Sequence, residues 1–387
     1  MNWDIDYCEP GMLPLPDAPI VVVKAAMGCG KTKALKDFLK ERGSALVITF
    51  SRSLSSKLVA DFEGFVDYQV EDGFIHKSRV VVCLDSLWRI KTKFFDYVII
   101  DEAVSVMLHF NSYLMQRASE NVVVLDAYLQ STGGVYVVDA SVDMPFVVQF
   151  VNRLESLRDQ KAVFVRNRYI RPTNRVATIT DKPKGHATYD IICSDVKAGK
   201  RVVVCSSTKT FVTALEKIAM IQCPGATVVV HHGGLGSDSL EDVGTLWATA
   251  DLLIYSPSVT AGVSFEKDHF DVLYANFVKS MYTPGVETSL QQLFRVRSLR
   301  QGTMTIWFSR MGGSAKTPLN VCCPTFKGLN PKIPGGLDHT HPLGAIVVNG
   351  ILEMKIRSES RYKSVLAETL RNEHEIPVHE GLNPRKR

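Results

Sequence analysis

A chain of 387 residues, at roughly 150 residues to a domain, predicts two or three domains that bury about three quarters of their unfolded surface without staples. Hydrophobic residues make up 45% and charged residues 22% of it, which excludes collagen-like, disordered and disulfide-scaffold classes. Lys+Arg 45 against Asp+Glu 40 leaves +5, a mild excess compatible with a polyanionic partner but far short of proving one.

In chain order, Asp4, Asp6 and Glu9 precede any apolar run, which is unlike a signal peptide. No later run approaches the ~18 apolar residues of a membrane span, so none is expected. Runs rich in Val, Ile and Leu at 20–24, 45–50, 79–84, 97–101, 122–125 and 135–138 read as buried parallel strands with room for crossovers between them. A polar, arginine-rich stretch at 166–175 follows, and then a second set of strands at 202–205, 227–231, 252–255, 272–275 and 303–308. The prediction is an α/β protein with two parallel-sheet layers in series. Ligands belong at the edge where the strands end.

Beyond Arg310, the pairs Gly312-Gly313 and Gly335-Gly336 with Pro318, Pro324, Pro331 and Pro334 predict a loop-rich extension. Within it, 351–373 spaces Leu352, Ile356, Val365, Leu366 and Leu370 as one amphipathic helix, and Arg385-Lys386-Arg387 form a basic tail. The expected divisions are therefore 1–175, 176–312 and 313–387. The cysteines are Cys8, Cys29, Cys83, Cys193, Cys205, Cys223, Cys322 and Cys323, with no Cys-x-x-Cys pair and several inside apolar runs. That is the pattern of reduced, buried thiols in an intracellular protein.

The sharpest local signal is Val21-Val22-Val23-Lys24-Ala25-Ala26-Met27-Gly28-Cys29-Gly30-Lys31-Thr32. A strand, a glycine-bearing turn and a helix opening on Gly-Lys-Thr make a cradle whose backbone N–H groups point at phosphates. Lys31 would neutralise the β- and γ-phosphates of ATP, and Thr32 would offer its hydroxyl to Mg²⁺. Ala25 stands where the strict pattern has glycine, which alanine can replace if the backbone there needs no positive φ. About 70 residues downstream, the strand 95–101 ends in Asp101-Glu102. Asp101 would hold a water of the Mg²⁺ shell, and Glu102 would orient and deprotonate the attacking water. Far away, Ser289-Leu290-Gln291-Gln292-Leu293-Phe294-Arg295-Val296-Arg297 offers Arg295 or Arg297 as the further cation that a γ-phosphate needs in its transition state.

These residues together resemble superfamily 2 helicases over roughly 20–310, and that resemblance implies two tandem RecA-like domains, P-loop NTPase sheets with ATP and Mg²⁺ between them. Ala25, Gly28, Cys29, Gly30, Lys31 and Thr32 look like the first motif, and Asp101-Glu102-Ala103 like the Asp-Glu-x-x box. Thr260-Ala261-Gly262-Val263-Ser264 is similar to the motif that touches both nucleotide and strand, and Gln291 to Arg297 resembles the arginine motif. Thr208-Lys209 sits where the second domain of such enzymes meets phosphates. Finer details in 47–55, 83–89 and 125–129 are similar to herpesvirus-type origin-binding helicases and their relatives in large DNA viruses.

Departures from those patterns carry their own expectations. Phe294 occupies the place of a usual glycine, and the second arginine is Arg297 with Ser298 after it. No glutamine precedes Gln69, so weak discrimination among nucleoside triphosphates is expected. Only about 75 residues follow the core, which leaves sequence-specific reading of an origin unsupported. Backbone contacts to a single strand are expected from Thr49, Ser51, Arg52 and Ser53, from Ser86 and Arg89, and from Ser207, Thr208 and Thr260. Adjacent His231 and His232 point to opposite faces, and Cys322-Cys323 lacks a second pair, so neither predicts a metal site. Trp88 is expected in the core.

The function expected is an ATP-dependent helicase or translocase of viral DNA replication, in the cytoplasm or host nucleus, with single-stranded DNA favoured as partner and replication proteins beside it. Two other readings stay open: an RNA helicase, and an adaptor that keeps the fold without turnover. A P-loop small-molecule kinase would leave the second α/β layer unexplained.

Overall fold

A computed structural model describes residues 2–11, 14–110, 112, 114–232, 243–257, 259, 263–279, 285–310 and 340–381. They form two compact units, one drawn from Met1–Arg171 and Ala315–Glu353, the other from Pro172–Ser314 and Met354–Arg387. Among the described residues no helix is long and apolar enough to cross a membrane.

The first unit follows the chain as β1 (Ile5–Tyr7), β2 (Ile20–Ala25), α1 (Lys31–Leu39), β3 (Ala45–Thr49), α2 (Arg52–Asp61), β4 (Val66–Asp67), β5 (Arg79–Cys83), β6 (Tyr97–Asp101), α3 (Ala103–His109), α4 (Ala118–Ser131), β7 (Gly134–Asp139), α5 (Pro145–Arg158) and β8 (Val163–Asn167). The strands form one sheet in the order β1-β8-β2-β7-β6-β3-β5-β4, with parallel pairing throughout. Ile20 to Val23, Leu46 to Ile48 and Val98 to Ile100 are essentially fully buried, as strands covered on both faces require. Three strands that lie side by side, β2, β7 and β6, end on one edge, and that edge carries the first candidate site.

The second unit runs β9 (Val176–Asp181), α6 (Ala187–Lys197), β10 (Val202–Ser206), α7 (Lys209–Gln222), β11 (Val228–His231), α8 (Val243–Leu246), β12 (Leu252–Tyr255), β13 (Val272–Lys279), α9 (Val286–Leu293) and β14 (Thr303–Arg310). The described end of the chain begins with α10 (Pro342–Ser360), whose residues up to Glu353 belong to the first unit, and adds α11 (Tyr362–His374) and β15 (Val378–Glu380) to the second. Its sheet is also all parallel, in the order β11-β12-β10-β13-β14-β9-β15.

Two expectations are corrected. The apolar run 122–125 is not a strand but the middle of α4, where Ala118, Val122, Leu125 and Leu129 are buried and Val123 is 58% exposed. That is the three-to-four residue spacing of a helix face, and the adjacent valines mimicked a strand. The single helix expected over 351–373 is two, α10 and α11, separated at Arg361, which leaves helical geometry with φ −132. Gly350 lets α10 lie close against α5 in the first unit, since a Cβ there would stand 2.6 Å from Phe146 Cδ2.

The arginine-rich stretch is also more than a separator. Arg166 lies in β8 and pairs with Asp6 of β1 at 2.7 Å, while Arg175 is fully buried.

Candidate functional site

Why the loop after β2 holds its shape is visible in its backbone. Gly28 and Gly30 take φ of +79 and +87, left-handed values that other residues reach only at a cost. A Cβ on Gly30 would stand 2.9 Å from the Gly11 Cα. Gly30 is the N-cap of α1, and no side chain caps that helix, which leaves its first-turn donors to be used by an anion. Ala25 keeps strand geometry and is buried, so alanine in place of glycine fits. The Cys29 thiol is turned inward to the Tyr169 carbonyl at 3.2 Å.

Lys31 is buried, and its ammonium donates to the Ala25 and Ala26 carbonyls at 2.9 and 3.3 Å. Those bonds hold the charge at the centre of the loop. Glu102 Oε1 lies 3.9 Å from the same nitrogen, so the two motifs meet although 70 residues of chain separate them. Glu102 has φ 56 and ψ 58, and its side chain does not cap α3, the helix that it precedes. A left-handed glutamate costs about 1–3 kcal/mol and is found where surrounding structure enforces it.

Asp101 is buried beside it, and Asp139, at the end of β7 between β2 and β6, completes the cluster. Burial first, and then Glu102, push the Asp101 carboxyl well above the ordinary carboxylate range against the opposing pull of Lys31. Asp139 is raised by the same causes. It also accepts from the backbone N–H of Val104 and of Ser141, both at 2.8 Å, and so anchors the start of α3. Sequence reasoning missed Asp139. Its signal was present: an acid closing an apolar strand on the edge already marked by Asp101.

Three carboxylates around one ammonium carry surplus negative charge when ionised. A divalent cation would neutralise it, and hard oxygen ligands suit Mg²⁺. Among the described residues no group of three His, Cys, Asp or Glu side chains converges to hold a metal by itself. Mg²⁺ is habitually held by one or two protein oxygens plus phosphates and water. Thr32, half-buried in the first turn of α1, has the right chemistry for one of them. Gly30→Ala is expected to cost about 2 kcal/mol in the first unit and to abolish nucleotide binding. Thermal unfolding and a nucleotide titration check it, and an unchanged melting point with unchanged affinity would refute the close-approach argument.

The expected strand contacts of the first unit divide. Ser51 caps α2 by accepting from the Leu54 N–H at 3.3 Å, with Ser53 Oγ 3.5 Å away, and Arg52 is exposed. Thr49 is buried, its hydroxyl donating to Ser51 O at 3.4 Å. Ser86 donates to Asp85 at 3.1 Å. Arg89 donates to the carbonyls of Gly73 at 2.8 Å, Tyr68 at 3.2 Å and Glu71, which ties down the chain over 68–73. Trp88 is only partly buried, with the Arg117 guanidinium 3.9 Å from its ring centre.

In the second unit Ser207 is buried and accepts from the Val278 N–H at 2.8 Å, and Thr208 precedes α7 with its N–H on Ser206 Oγ at 3.2 Å. Thr260 and Gly262 lie outside the described residues, as do Cys322, Cys323 and the basic tail. His231 accepts from the Trp247 indole N–H at 2.9 Å inside the fold, a structural role.

Helix α9 carries Gln291, which is buried, and leads into the two arginines. Arg295 is buried, donating to Gln291 O at 2.9 Å and Val263 O at 2.8 Å. Arg297 is half-buried, with Nε on Ser264 Oγ at 3.0 Å. A short parallel bridge pins both: the Phe265 N–H donates to Arg295 O and the Arg297 N–H to Phe265 O, each at 2.8 Å.

An all-parallel α/β pair with this glycine-bearing loop and acidic strand end has the architecture of two RecA-like domains. S. cerevisiae Dbp5 bound to RNA and ADP BeF3 superposes with TM-score 0.55 at 13% identity, over 86% of this chain and 89% of that one. Mss116p bound to ssRNA and AMP-PNP gives 0.53 at 12%, over 76% and 67%. At such identities the likeness is one of fold.

Within that class, the model of the origin of replication binding protein family matches residues 9–191 and 173–339, and the chain belongs to this family. It is 27% identical over 325 residues to an uncharacterized putative helicase of Acanthamoeba polyphaga mimivirus, covering 75% of this chain and 29% of the relative. A putative helicase/primase complex protein of African swine fever virus is 26% identical over 317 residues, covering 78% and 30%. The replication origin-binding protein of human herpesvirus 7 is 26% identical over 306 residues, covering 75% and 38%. The chain thus spans about a third of the length of these relatives.

Proposed function

We propose that this chain is the motor core of an ATP-dependent helicase or translocase acting in viral DNA replication, inside the infected cell. The observation that carries the reading is the meeting of Lys31 with Glu102 at 3.9 Å, beside buried Asp101, on the edge of a parallel sheet. In this reading Gly28, Cys29 and Gly30 with the start of α1 cradle the phosphates of ATP, and Lys31 neutralises them. Thr32 and Asp101 would hold Mg²⁺, and Glu102 takes the proton of the attacking water. Bound Mg²⁺ supplies charge neutralisation on the phosphates. Gln291 and an arginine of the same motif act from the second unit. Turnover then requires motion of one unit against the other, which shifts their grip on the strand.

Ser51, Arg52, Ser53, Ser86 and Thr208, at helix starts and strand ends, suit the sugar–phosphate backbone. Thr49, Arg89 and Ser207 support those loops from inside. The names of the relatives favour DNA and replication partners such as a primase. ATP hydrolysis measured with no polymer, single-stranded DNA, duplex DNA and RNA tests the reading. Stimulation of about tenfold or more by single-stranded DNA is expected. Stimulation by RNA alone replaces DNA with RNA, and absence of hydrolysis in all four leaves the adaptor.

A further inference from the structure

His374 belongs to α11 and has no part in the nucleotide chemistry above. It also lies beyond residue 339, where the family match ends. Its ring stacks on Phe294, with centroids 4.3 Å and planes 27° apart. Phe294 is the residue that stands in place of the motif's usual glycine, and it closes α9. Arg175, buried, sets its guanidinium 5.1 Å from the same ring and donates to Leu293 O at 2.7 Å and to Val296 O. The carbonyls flanking Phe294 and Arg295 are therefore pinned by one buried cation. Tyr362, at the other end of α11, bonds the Ser289 hydroxyl on α9 and packs on Phe308 and Phe277. A glycine at 294 would make no such stack; phenylalanine has a partner there because α11 supplies one.

The groups facing His374 support an uncharged ring. Burial, then Arg175 and Arg297, push its pKa down to about 4. The imidazole thus stacks as a neutral aromatic and adds no third cation beside the two arginines.

We propose that His374, together with Arg175, is a positioning residue of the arginine motif: the Phe294–His374 stack holds the 293–297 backbone from which Arg295 and Arg297 are presented. An arginine that must be ordered at the moment of reaction costs rate, whereas one already oriented does not. The proposal rests on the reading of those arginines given under the proposed function, and its test separates the two.

Full-length wild type, His374→Ala and His374→Phe are compared by amide hydrogen exchange and by stimulated ATPase kinetics. His374→Ala is expected to speed exchange at 293–297 by about tenfold or more while β10 and β13 are unchanged. It should lower kcat roughly tenfold with KM for ATP and affinity for single-stranded DNA within about twofold. His374→Phe, which keeps a stacking ring, restores both. Phe294→Leu reaches the same result without touching α11, and serves if His374→Ala does not fold. Unchanged exchange at 293–297 overturns the proposal whatever the ATPase does. So does a kcat loss equalled in His374→Phe, or one matched by loss of ATP affinity. Faster local exchange in a protein whose wild type shows no polymer-stimulated hydrolysis sinks the helicase reading and upholds the brace.

Discussion

Glu102→Gln is expected to lower stimulated ATP hydrolysis by roughly 10³-fold while ATP affinity stays within about twofold. Lys31→Ala is expected to lose both. The contrast follows from what each side chain does. Lys31 is buried in the loop, bonded to the carbonyls of Ala25 and Ala26, so its removal takes away the positive charge at the loop's centre and the bonds that shape it. Glu102 holds no helix end with its side chain, and it sits in a left-handed conformation at φ 56. Glutamine has the same shape and accepts the same backbone, so the fold has no reason to respond. What it lacks is the ability to take a proton. Steady-state kinetics paired with a fluorescent-nucleotide titration give both numbers. Wild-type turnover by Glu102→Gln would remove the glutamate from the chemistry, and undiminished ATP affinity in Lys31→Ala would remove the lysine.

Both sites were half-legible in the sequence, and the reason is the range of the contacts involved. The P-loop is a local object, strand, turn and helix in a dozen residues, and continuous apolar runs such as Val21-Val22-Val23 name their own sheet. Strands of mixed character escaped. Val163–Asn167 carries an arginine whose partner, Asp6, is at the other end of the unit, and Val176–Asp181 alternates with threonine. Neither looks buried until its neighbour is known. The run at 122–125 failed the opposite way, since four adjacent apolar residues serve a helix as well as a strand. Asp139 needed the strand order β2-β7-β6 to bring it beside Asp101. Phe294 read as a defect in the arginine motif. Its stacking partner, His374, comes from a helix that the motif does not include.

In the proposed reading, the two arginines differ in how each is held within its own unit. Arg295 is buried and donates to two backbone carbonyls, those of Gln291 and Val263. Truncating it leaves buried acceptors unpaired, so Arg295→Ala is expected to cost about 2–4 kcal/mol of stability. Any loss of activity should then track the unfolded fraction. Arg297 is half-buried, and its Nε donates to the Ser264 hydroxyl at 3.0 Å, a side-chain acceptor rather than a buried backbone one. Arg297→Ala is expected to leave the melting temperature nearly unchanged and to lower kcat by roughly 10³-fold, the scale of a lost arginine finger. Arg297→Lys should not rescue it, because an ammonium cannot reproduce the planar fork of donors. Thermal unfolding and single-turnover hydrolysis on the same preparations separate the two roles. If Arg295→Ala melts like wild type with kcat collapsed, while Arg297→Ala turns over normally, the assignment is reversed and the buried residue is the one that reaches the phosphate.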